Sequence, residues 1–260
     1  MSAVAISGVS KVFPGHGAGD EAVLALRDVS FGVADQEFCS ILGHSGCGKT
    51  TLLMMLAGFE APTSGRILVD GRPVGHPTWR RSVVFQDYAL FPWMTVEENV
   101  AFGLEMKRVP REARRETVAH YMGLVGLQGF ERRYPHQLSG GMKQRVSIAR
   151  ALAVDPEVLL MDEPFAALDA QNRSRMQEEM GRILASSDPR VRKTMVLVTH
   201  SIEEAILLSD RVVVLTRRPG CVKADIRVEL PRPRREVDPG FIELKQRIRD
   251  LIHDEFEPEH

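Results

Sequence analysis

Residues 43–50 read Gly43-His44-Ser45-Gly46-Cys47-Gly48-Lys49-Thr50 and fit G-x-x-x-x-G-K-[ST], the pattern of a phosphate-binding loop. Glycines let successive backbone N–H groups turn inward and surround the phosphates of a nucleotide. In such a loop Lys49 reaches the β- and γ-phosphates, and the hydroxyl of Thr50 ligates Mg²⁺. The stretch therefore predicts nucleotide binding, with a glycine-rich turn that fits by chance as the alternative.

The residues on both sides of the loop support this prediction. Residues 37–42 form a short apolar run that predicts a buried strand. The residues from Thr51 to Ala57 predict a helix whose N-terminus faces the bound anion. Strand, glycine-rich loop and helix are the elements that a phosphate site needs in this order.

Composition limits the class of protein. The 260 residues are 43% hydrophobic and 27% charged with a formal net charge of −1, which predicts an ordinary globular protein of one domain with or without an appendage. The near-neutral charge argues against a general nucleic-acid binder. We expect no membrane-spanning helix and no signal peptide. The three cysteines fit neither a disulfide framework nor a metal site, so Cys39 and Cys47 are expected to be free thiols in a reducing cytoplasm.

Apolar runs of strand length alternate with helical patterns along most of the chain, which predicts an α/β fold with a mostly parallel sheet. The predicted strands are Phe38–Leu42, Arg66–Val69, Ser82–Phe85, Val158–Met161, Met195–Val198 and Val212–Thr216. The predicted helices follow Lys49 and span Arg111–Val125, Gly141–Ala153, Ala170–Leu184 and Ile202–Leu208.

Three segments depart from this alternation. Val4–Val12 and Val23–Val33 predict antiparallel strands joined by a loop at residues 16–20. Residues of about 87–154 are mostly helical and predict an inserted helical subdomain. After Pro231 the composition shifts to proline and arginine, which predicts a linker, and Arg232-Pro233-Arg234-Arg235 is expected to be solvated.

A final helix is predicted to open at Asp238-Pro239, with aspartate as the cap and proline in the first turn. Its apolar side chains recur at helical spacing. They are Phe241, Leu244, Ile248, Leu251 and Ile252. We expect this stripe to dock on the chain's own domain, presentation to a partner being the alternative.

A phosphate loop needs a carboxylate for Mg²⁺ on a neighbouring strand. Val158–Met161 predicts a buried strand, and Asp162 stands at its carboxyl end, where ligands bind in open α/β sheets. Glu163 follows and can polarise an attacking water. A solvated acidic pair after a core strand is the alternative.

Residues 138–144 read Leu-Ser-Gly-Gly-Met-Lys-Gln and open a predicted helix. The hydroxyl of Ser139 and the backbone N–H groups of Gly140 and Gly141 form a second candidate anion site, with a helix dipole behind it.

Together these motifs resemble the ATP-binding-cassette (ABC) ATPases over about residues 4–230. Leu-Ser-Gly-Gly about twenty residues before Leu-Met-Asp-Glu-Pro is similar to the family signature. Gln86 resembles the Q-loop, Ala167-Leu168-Asp169 the D-loop and His200 the switch histidine, while Phe13 stands where the family places an aromatic on adenine. The resemblance implies a P-loop NTPase of ABC type, α/β with an N-terminal antiparallel β-subdomain. The ATPase domain would span residues 1–235, followed by a linker and helix over 236–260.

The resemblance also implies roles, with ATP and Mg²⁺ as ligands. The implied catalytic residues are Glu163, His200, Gln86 and Lys49; the implied metal ligands are Thr50, Gln86 and Asp162; the implied nucleotide contacts are Phe13, residues 43–51 including Thr51, Ser139, Gly140, Gly141 and Asp169. By position alone, His200 could be a structural histidine, Gln86 an ordinary polar residue and Phe13 a core aromatic.

In the resembled family the two phosphate-binding features face different nucleotides, so the Ser139–Gly141 segment would complete the site of an opposing subunit. The implied partners are a second ATPase subunit, identical or a close homologue, membrane permease subunits and, indirectly, a solute-binding protein, with no nucleic acid. The implied location is the cytoplasmic face of the inner membrane, as a peripheral subunit.

Several stretches resemble the importer branch that serves nitrate, sulfonate and taurine. They are residues 91–96, Met142, residues 162–165, 199–205, 217–220 and 230–234. Ala166 departs from the glycine common there, and the short tail predicts no large regulatory domain. Phe91 and Trp93 either contact a permease helix or pack the helical subdomain. The alternative functions are a non-transport ABC ATPase, such as a DNA-repair or ribosome-associated clamp, and an exporter ATPase.

Overall fold

The structure is a computed structural model that describes residues 2–15, 21–184, 190 and 192–253. The chain forms two compact units. The first comprises Met1–Pro77 and Lys193–His260, and the second comprises Thr78–Arg192. The elements in chain order are β1 (Ser2–Phe13), β2 (Val23–Ala34), β3 (Phe38–Leu42), α1 (Lys49–Ala57), β4 (Ser64–Val69), β5 (Arg72–Pro73), β6 (Arg81–Val84), α2 (Val96–Met106), α3 (Arg111–Leu124), a 3-10 turn (Pro135–Gln137), α4 (Gly140–Ala153), β7 (Val158–Asp162), α5 (Ala170–Leu184), β8 (Thr194–Thr199), α6 (Ile202–Leu208), β9 (Arg211–Leu215), β10 (Val222–Arg227) and α7 (Pro239–His253).

The first unit contains an antiparallel sheet and a mostly parallel group of strands. The antiparallel sheet has the order β2-β1-β4-β5, which confirms the predicted antiparallel N-terminus. Residues 16–20, predicted to be the loop between its first strands, lie outside the described residues. In the second group β3 pairs in parallel with β8 and β9, and β10 adds antiparallel to β9. All residues of β3 and β8 are buried, as continuous apolar runs predict for central parallel strands.

The second unit contains the parallel pair β6 and β7 and the helices α2 to α5. Helix α4 packs against α2, α3 and α5, and the face that it buries includes Val146, Ile148 and Leu152. Taken together, the chain has the predicted α/β fold with a mostly parallel sheet, an antiparallel N-terminal sheet and helices. The limits of about 87–154 for a helical subdomain stay a prediction.

The C-terminal helix α7 docks on the first unit, as predicted. Phe241 and Ile248 are 1% and 0% exposed and join a cluster with residues of α6, β9 and β10. The other stripe residues, Leu244, Leu251 and Ile252, pack against the same cluster. An ion pair of 2.6 Å between Lys245 Nζ and Glu203 Oε1 joins α7 to α6 at the surface. The stripe is thus used within the chain.

The prediction that Arg232 to Arg235 form a solvated linker is wrong for two of its arginines. Arg234 donates hydrogen bonds to four carbonyl oxygens, which are those of Ile206, Ser209, Val228 and Leu230. Arg232 donates to the carbonyl of Leu208 and pairs with Asp210 at 2.7 Å. The last turn of α6 leaves carbonyls without helical partners, and a cation is favoured at that end of a helix. The arginines therefore cap α6.

Helix α2 begins with a capping box, which was not among the features predicted from the sequence. The Thr95 hydroxyl accepts the backbone N–H of Glu98, and the Glu98 carboxylate accepts the backbone N–H of Thr95. Each of these bonds satisfies a donor that a helix start leaves open. The Thr-x-x-Glu spacing at residues 95–98 was the available signal.

Candidate active site

The phosphate loop connects β3 to α1 in the first unit. Gly46 and Gly48 have φ angles of 78° and 100°, in the left-handed region that glycine adopts without steric cost. At Gly48 a Cβ atom would lie 2.6 Å from Leu26 Cδ2 and 3.0 Å from the carbonyl oxygen of Ala25, so β2 leaves no room for another side chain. The glycine spacing of the motif is therefore required by backbone conformation and by packing.

The Lys49 ammonium lies inside this loop. Lys49 is 4% exposed, and Nζ donates to the carbonyl oxygens of Gly43 and His44, each at 2.8 Å. A third, weaker contact joins Nζ to Cys47 Sγ at 4.0 Å, so all three donors of the ammonium face the loop and a bound anion would compete with the sulfur. Thr50 and Thr51 follow in the first turn of α1, which contains no acidic residue. The positive end of the helix dipole therefore faces the loop without a competing carboxylate.

Cys47 points into the protein from the same loop. It is 1% exposed, and its Sγ would lie 2.8 Å from a Cβ at Gly43. Among the described residues Cys39 and Cys47 are thiols outside any disulfide, as predicted, and both are buried. Ser45 and Gly46 form an exposed part of the loop.

His200 leaves the same edge of the sheet as the phosphate loop. Strand β8 pairs in parallel with β3, and Leu42 lies opposite Thr199, so Gly43 and His200 follow neighbouring strand ends. The turn around His200 is held by hydrogen bonds: the Thr199 hydroxyl donates to the buried Glu204 carboxylate at 2.6 Å and accepts the N–H of Ser201 at 3.0 Å. The Ser201 hydroxyl in turn caps α6. His200 itself is exposed at the end of this turn.

Phe13 ends β1 and is half-buried, so it is not part of the fully buried core. The Lys11 ammonium lies 4.9 Å from the centre of its ring and is held by Glu60 at 2.5 Å. A partly exposed ring is compatible with stacking on adenine. That role of Phe13 stays a prediction.

In the second unit, Gln86 and the two acidic residues leave one edge of a parallel pair of strands. Val84 of β6 lies opposite Met161 of β7, so Gln86 and Glu163 follow neighbouring strand ends. Asp162 is 8% exposed and is the last residue of β7. Glu163 has a φ of 43°, a left-handed conformation that costs a non-glycine residue about 1–2 kcal/mol. Such strain is concentrated at functional sites.

The Ser139–Gly141 segment starts α4. The Ser139 hydroxyl accepts the backbone N–H of Met142 at 3.3 Å, and Ser139 is itself exposed. At Gly140 a Cβ atom would lie 3.0 Å from Tyr88 Oη and 3.5 Å from Leu168 Cδ2, whereas one at Gly141 would meet nothing within 4 Å. Gly140 therefore allows close packing, and Gly141 leaves the backbone uncovered. The first turn of α4 contains no acidic residue.

The implied site residues thus fall into two sets. The first unit holds Phe13, residues 43–51 and His200; the second holds Gln86, Ser139, Gly140, Gly141, Asp162, Glu163 and Asp169. Exposed Asp169 precedes α5, whose Arg173 donates to the carbonyl of Leu168 at 3.0 Å.

Carboxylate, hydroxyl and amide oxygens are the ligands that suit Mg²⁺, so the side chains of Thr50, Asp162 and Gln86 fit that ion chemically.

Phe91 and Trp93 differ in their surroundings. The rings of Phe91 and Phe102 are 4.5 Å apart between centroids, so Phe91 packs on α2. Trp93 is 70% exposed. Its ring centroid lies 5.7 Å from that of Phe91, so packing within the unit accounts for Phe91 and covers only part of Trp93.

Several residues that support the site were not among those predicted from the sequence. Lys11, Glu204 and Arg150 all hold predicted site segments through hydrogen bonds or ring contacts. For Glu204 a local signal existed, because Ser201-x-x-Glu204 is the spacing of a helix cap. No local sequence signal pointed to Lys11 or Arg150, since their partners lie far away in the sequence.

Within the described parts of the chain, none of the helices combines the length and the apolar character needed to cross a membrane.

Comparison with known proteins identifies relatives over most of the chain. The family model described as ABC transporter matches residues 26–166. The chain is 48% identical to an uncharacterized ABC transporter ATP-binding protein of Methanocaldococcus jannaschii, over 96% of this chain and 91% of that protein. It is 47% identical to the taurine import ATP-binding protein of Roseobacter denitrificans, over 91% of this chain and 84% of that protein.

A third relative is longer than this chain. The nitrate import ATP-binding protein of Synechococcus elongatus is 43% identical over 96% of this chain, which spans 38% of that protein. Among solved structures, the bacterial ABC transporter cassette MJ0796, a dimer, matches with a TM-score of 0.73 and 30% identity, over 88% of this chain and 100% of that one. Another structure of that cassette is a post-hydrolysis dimer bound to ADP and Pi.

Proposed function

The chain belongs to the ABC transporter family, and we propose that it is the ATP-hydrolysing subunit of an importer, working at the interface of two such subunits. As an ABC ATPase it binds and hydrolyses ATP. The observation that carries the two-chain part is that α1 and α4 both begin at glycine-rich segments without acidic residues in their first turns. One triphosphate does not need two such anion sites. We infer that each serves a different nucleotide.

The proposed reaction is in-line attack of water on the γ-phosphate. Lys49 neutralises charge on the β- and γ-phosphates, and loop N–H groups hold them in place. Glu163 orients and polarises the water, His200 contacts the γ-phosphate, and Gln86 contacts both the water and the metal. Thr50, Gln86 and Asp162 would hold Mg²⁺, which neutralises phosphate charge when bound.

The remaining nucleotide contacts complete the proposal. Phe13 stacks on adenine through its π face. Ser139, Gly140 and Gly141 contact the γ-phosphate of the nucleotide held by the opposing subunit, and Asp169 lies beside that contact. ATP thereby joins two subunits, and its cleavage lets them separate. The dimeric cassette among the similar structures supports this arrangement.

We propose that a permease binds the second unit through an apolar groove of about 420 Å³ near β6 and α2. Its lining includes Trp79, Val83, Phe102 and Met106, of which Met106 is 66% exposed and Trp79 47% exposed. Such a groove fits the apolar face of a short helix. Exposed Trp93 adds a large amphipathic side chain of a kind that is enriched at interfaces.

The proposed solute is a small molecule of the kind that the relatives import, such as nitrate, a sulfonate or taurine. Two relatives named for nitrate and taurine import support that class. In this arrangement the solute is recognised by a binding protein and by the membrane subunits. The ATPase subunit would lie on the cytoplasmic face of the inner membrane, held there by the permease.

Replacing Glu163 tests the proposed reaction. Glu163→Gln keeps the shape of the side chain but removes the carboxylate, so the ATP turnover number should fall at least about 100-fold. Calorimetry should find ATP affinity retained in this variant, whereas Lys49→Ala should lose at least about tenfold in affinity because a charged contact is removed. Exposed Glu178, at the surface of α5, provides the control Glu178→Gln. Normal turnover by Glu163→Gln would contradict the role of Glu163.

Co-purification tests the importer part separately. The chain, isolated from membranes of its source under mild detergent, should bring down a multi-span permease. Recovery with ribosomes or DNA instead would favour a non-transport ABC ATPase.

A further inference from the structure

Residues 88–91, which follow Gln86, have an unusual backbone. Tyr88 and Ala89 have φ angles of 57° and 47°, two consecutive non-glycine residues in the left-handed region. Non-glycine residues enter this region rarely and remain there only where their surroundings hold them. The segment therefore needs support from elsewhere in the fold.

Arg150, in the third turn of α4, provides this support. Its Nη1 donates to the carbonyl oxygen of Ala89 at 2.6 Å, and its Nη2 donates to that of Tyr88 at 3.1 Å. Its Cζ lies 5.6 Å from the centre of the Phe91 ring. One guanidinium thus contacts three of the four residues of the segment, and it contacts both strained residues.

The chemistry of these contacts is specific to arginine. The planar guanidinium presents several N–H donors in a fixed fork and can stack on an aromatic face at the same time. Burial lowers the pKa of Arg150, so the group is held in a partly dry place rather than in open solvent. A lysine ammonium there would be a point charge that could not reproduce the fork and the stacking together.

The first turn of α4 contacts the same segment. A Cβ at Gly140 would lie 3.0 Å from the Tyr88 hydroxyl, so α4 approaches the segment with no side chain between. Burial, and then the charge of Asp87, raise the pKa of Tyr88. Helix α4 therefore meets this segment both beside Ser139 and at Arg150.

We propose that Arg150 is a positioning residue for Gln86: by holding residues 88–91 it fixes the backbone between Gln86 and Trp93, and with it the positions of these two side chains. This rests on the proposed function, in which Gln86 contacts the metal and the water while Trp93 meets the permease. Because Arg150 belongs to α4, and the N-terminus of α4 carries Ser139, this contact links the position of Gln86 to that of α4.

Hydrogen exchange measures the structural half of this inference in the purified full chain. In Arg150→Met and Arg150→Lys, amide exchange of a peptide covering residues 86–95 should become about tenfold faster or more, because charged hydrogen bonds to the segment are lost. The matched control is Arg145→Met, on the same helix, which loses an ion pair of 2.5 Å to Glu179 on α5; Arg145 has no contact in this segment among the described bonds.

The control should change exchange in α5 and leave residues 86–95 as in the unmodified protein. Melting temperatures establish that each variant is folded. If Arg150→Met does not fold, Arg150→Lys is used for the exchange measurement. Unchanged exchange at residues 86–95 in a folded Arg150 variant would overturn the inference.

Kinetics measure the functional half. Arg150→Lys should lower kcat for ATP by about 10- to 100-fold, since small displacements of positioning groups have effects of this size, while KM stays within about twofold. If Arg150 acts through Gln86, the double variant Gln86→Ala/Arg150→Lys should be no slower than Gln86→Ala. If the losses of kcat in the two single variants were additive in the double variant, the inference about Arg150 would be overturned while the role of Gln86 would stand. Normal turnover by Gln86→Ala would instead overturn the role that the proposed function gives Gln86, and the exchange result would still decide whether Arg150 holds the segment.

Discussion

The surroundings of the Cys39 thiol strongly change its protonation. Cys39 lies in the central strand β3 with no exposed surface. Burial raises the pKa of its thiol to about 12, and the nearby Arg211 guanidinium opposes that change only partly. A thiol in the unfolded chain has a pKa of about 8.5. The folded protein therefore keeps a proton that the unfolded chain releases above that pH.

This difference predicts a pH-dependent loss of stability. Because the folded pKa is raised, the contribution of Cys39 is complete below about pH 8.5 and falls by about 1.4 kcal/mol per pH unit as pH rises toward the folded value. Cys39→Ala removes this dependence at the cost of a small cavity. The free energy of unfolding of the two proteins, measured in urea from pH 7 to 11, should converge as pH rises. Parallel curves would contradict a buried, protonated Cys39.

Local and distant contacts explain which site residues could be predicted from the sequence. Residues 43–50 are contiguous, and their glycine positions follow from backbone conformation alone, so the motif could be recognised in the sequence. Arg150 contacts Ala89 from 61 positions away and Lys11 contacts Glu60 from 49 positions away. Such pairs are set by packing of the folded chain, which the order of residues does not reveal.

At the scale of elements, the end of α6 depends on two arginines from the segment that follows β10. Burial, and then the charge of Arg232, lower the pKa of Arg234 to about 10, while the charge of Asp210 opposes this change. Its four carbonyl partners join the end of α6 to residues 228–230. Removing the guanidinium leaves several of these acceptors unpaired.

Arg234→Met should therefore destabilise the protein by about 3 kcal/mol, since hydrogen bonds to charged groups each contribute about 1.5–3 kcal/mol and some carbonyls would rehydrate. Urea unfolding measures the change. Neighbouring Arg235 is exposed, so Arg235→Met is a matched control that should stay within about 0.5 kcal/mol of the unmodified chain. Equal effects at the two positions would contradict the capping role.

The same scale explains which elements the sequence predicted. Fully buried strands such as β3, β7 and β8 appear as unbroken apolar runs and were found within one or two residues of their observed ends. Strand β10 was not predicted, because it is an edge strand with one buried residue and shows little apolar patterning. The two-residue strand β5 contains Pro73 and is fixed only by its pairing with β4.

At the scale of the molecule, the implied site residues are divided between two compact units of one chain, with the phosphate loop in one and the Ser139–Gly141 segment in the other. The sequence predicted both motifs and placed the Ser139–Gly141 segment in a helical insert of about residues 87–154, whereas the second compact unit spans Thr78–Arg192 and also contains the strands β6 and β7. Under the proposed function, a complete catalytic site then needs the Ser139–Gly141 segment of a second copy.

The corresponding prediction is that the dimer of two such chains can be trapped. Under the proposed function Glu163→Gln should bind ATP without cleaving it, so with ATP and Mg²⁺ the 29.0 kDa chain should elute from a size-exclusion column at twice its mass, and with ADP it should not. Adding Ser139→Glu should abolish the dimer, because a carboxylate repels the opposing γ-phosphate. The same carboxylate suits the positive end of α4, so the chain should still fold. Mixing the two variants should give intermediate association, since one of the two shared sites keeps its serine. Dimers of the double variant as tight as those of Glu163→Gln would contradict a nucleotide shared between chains.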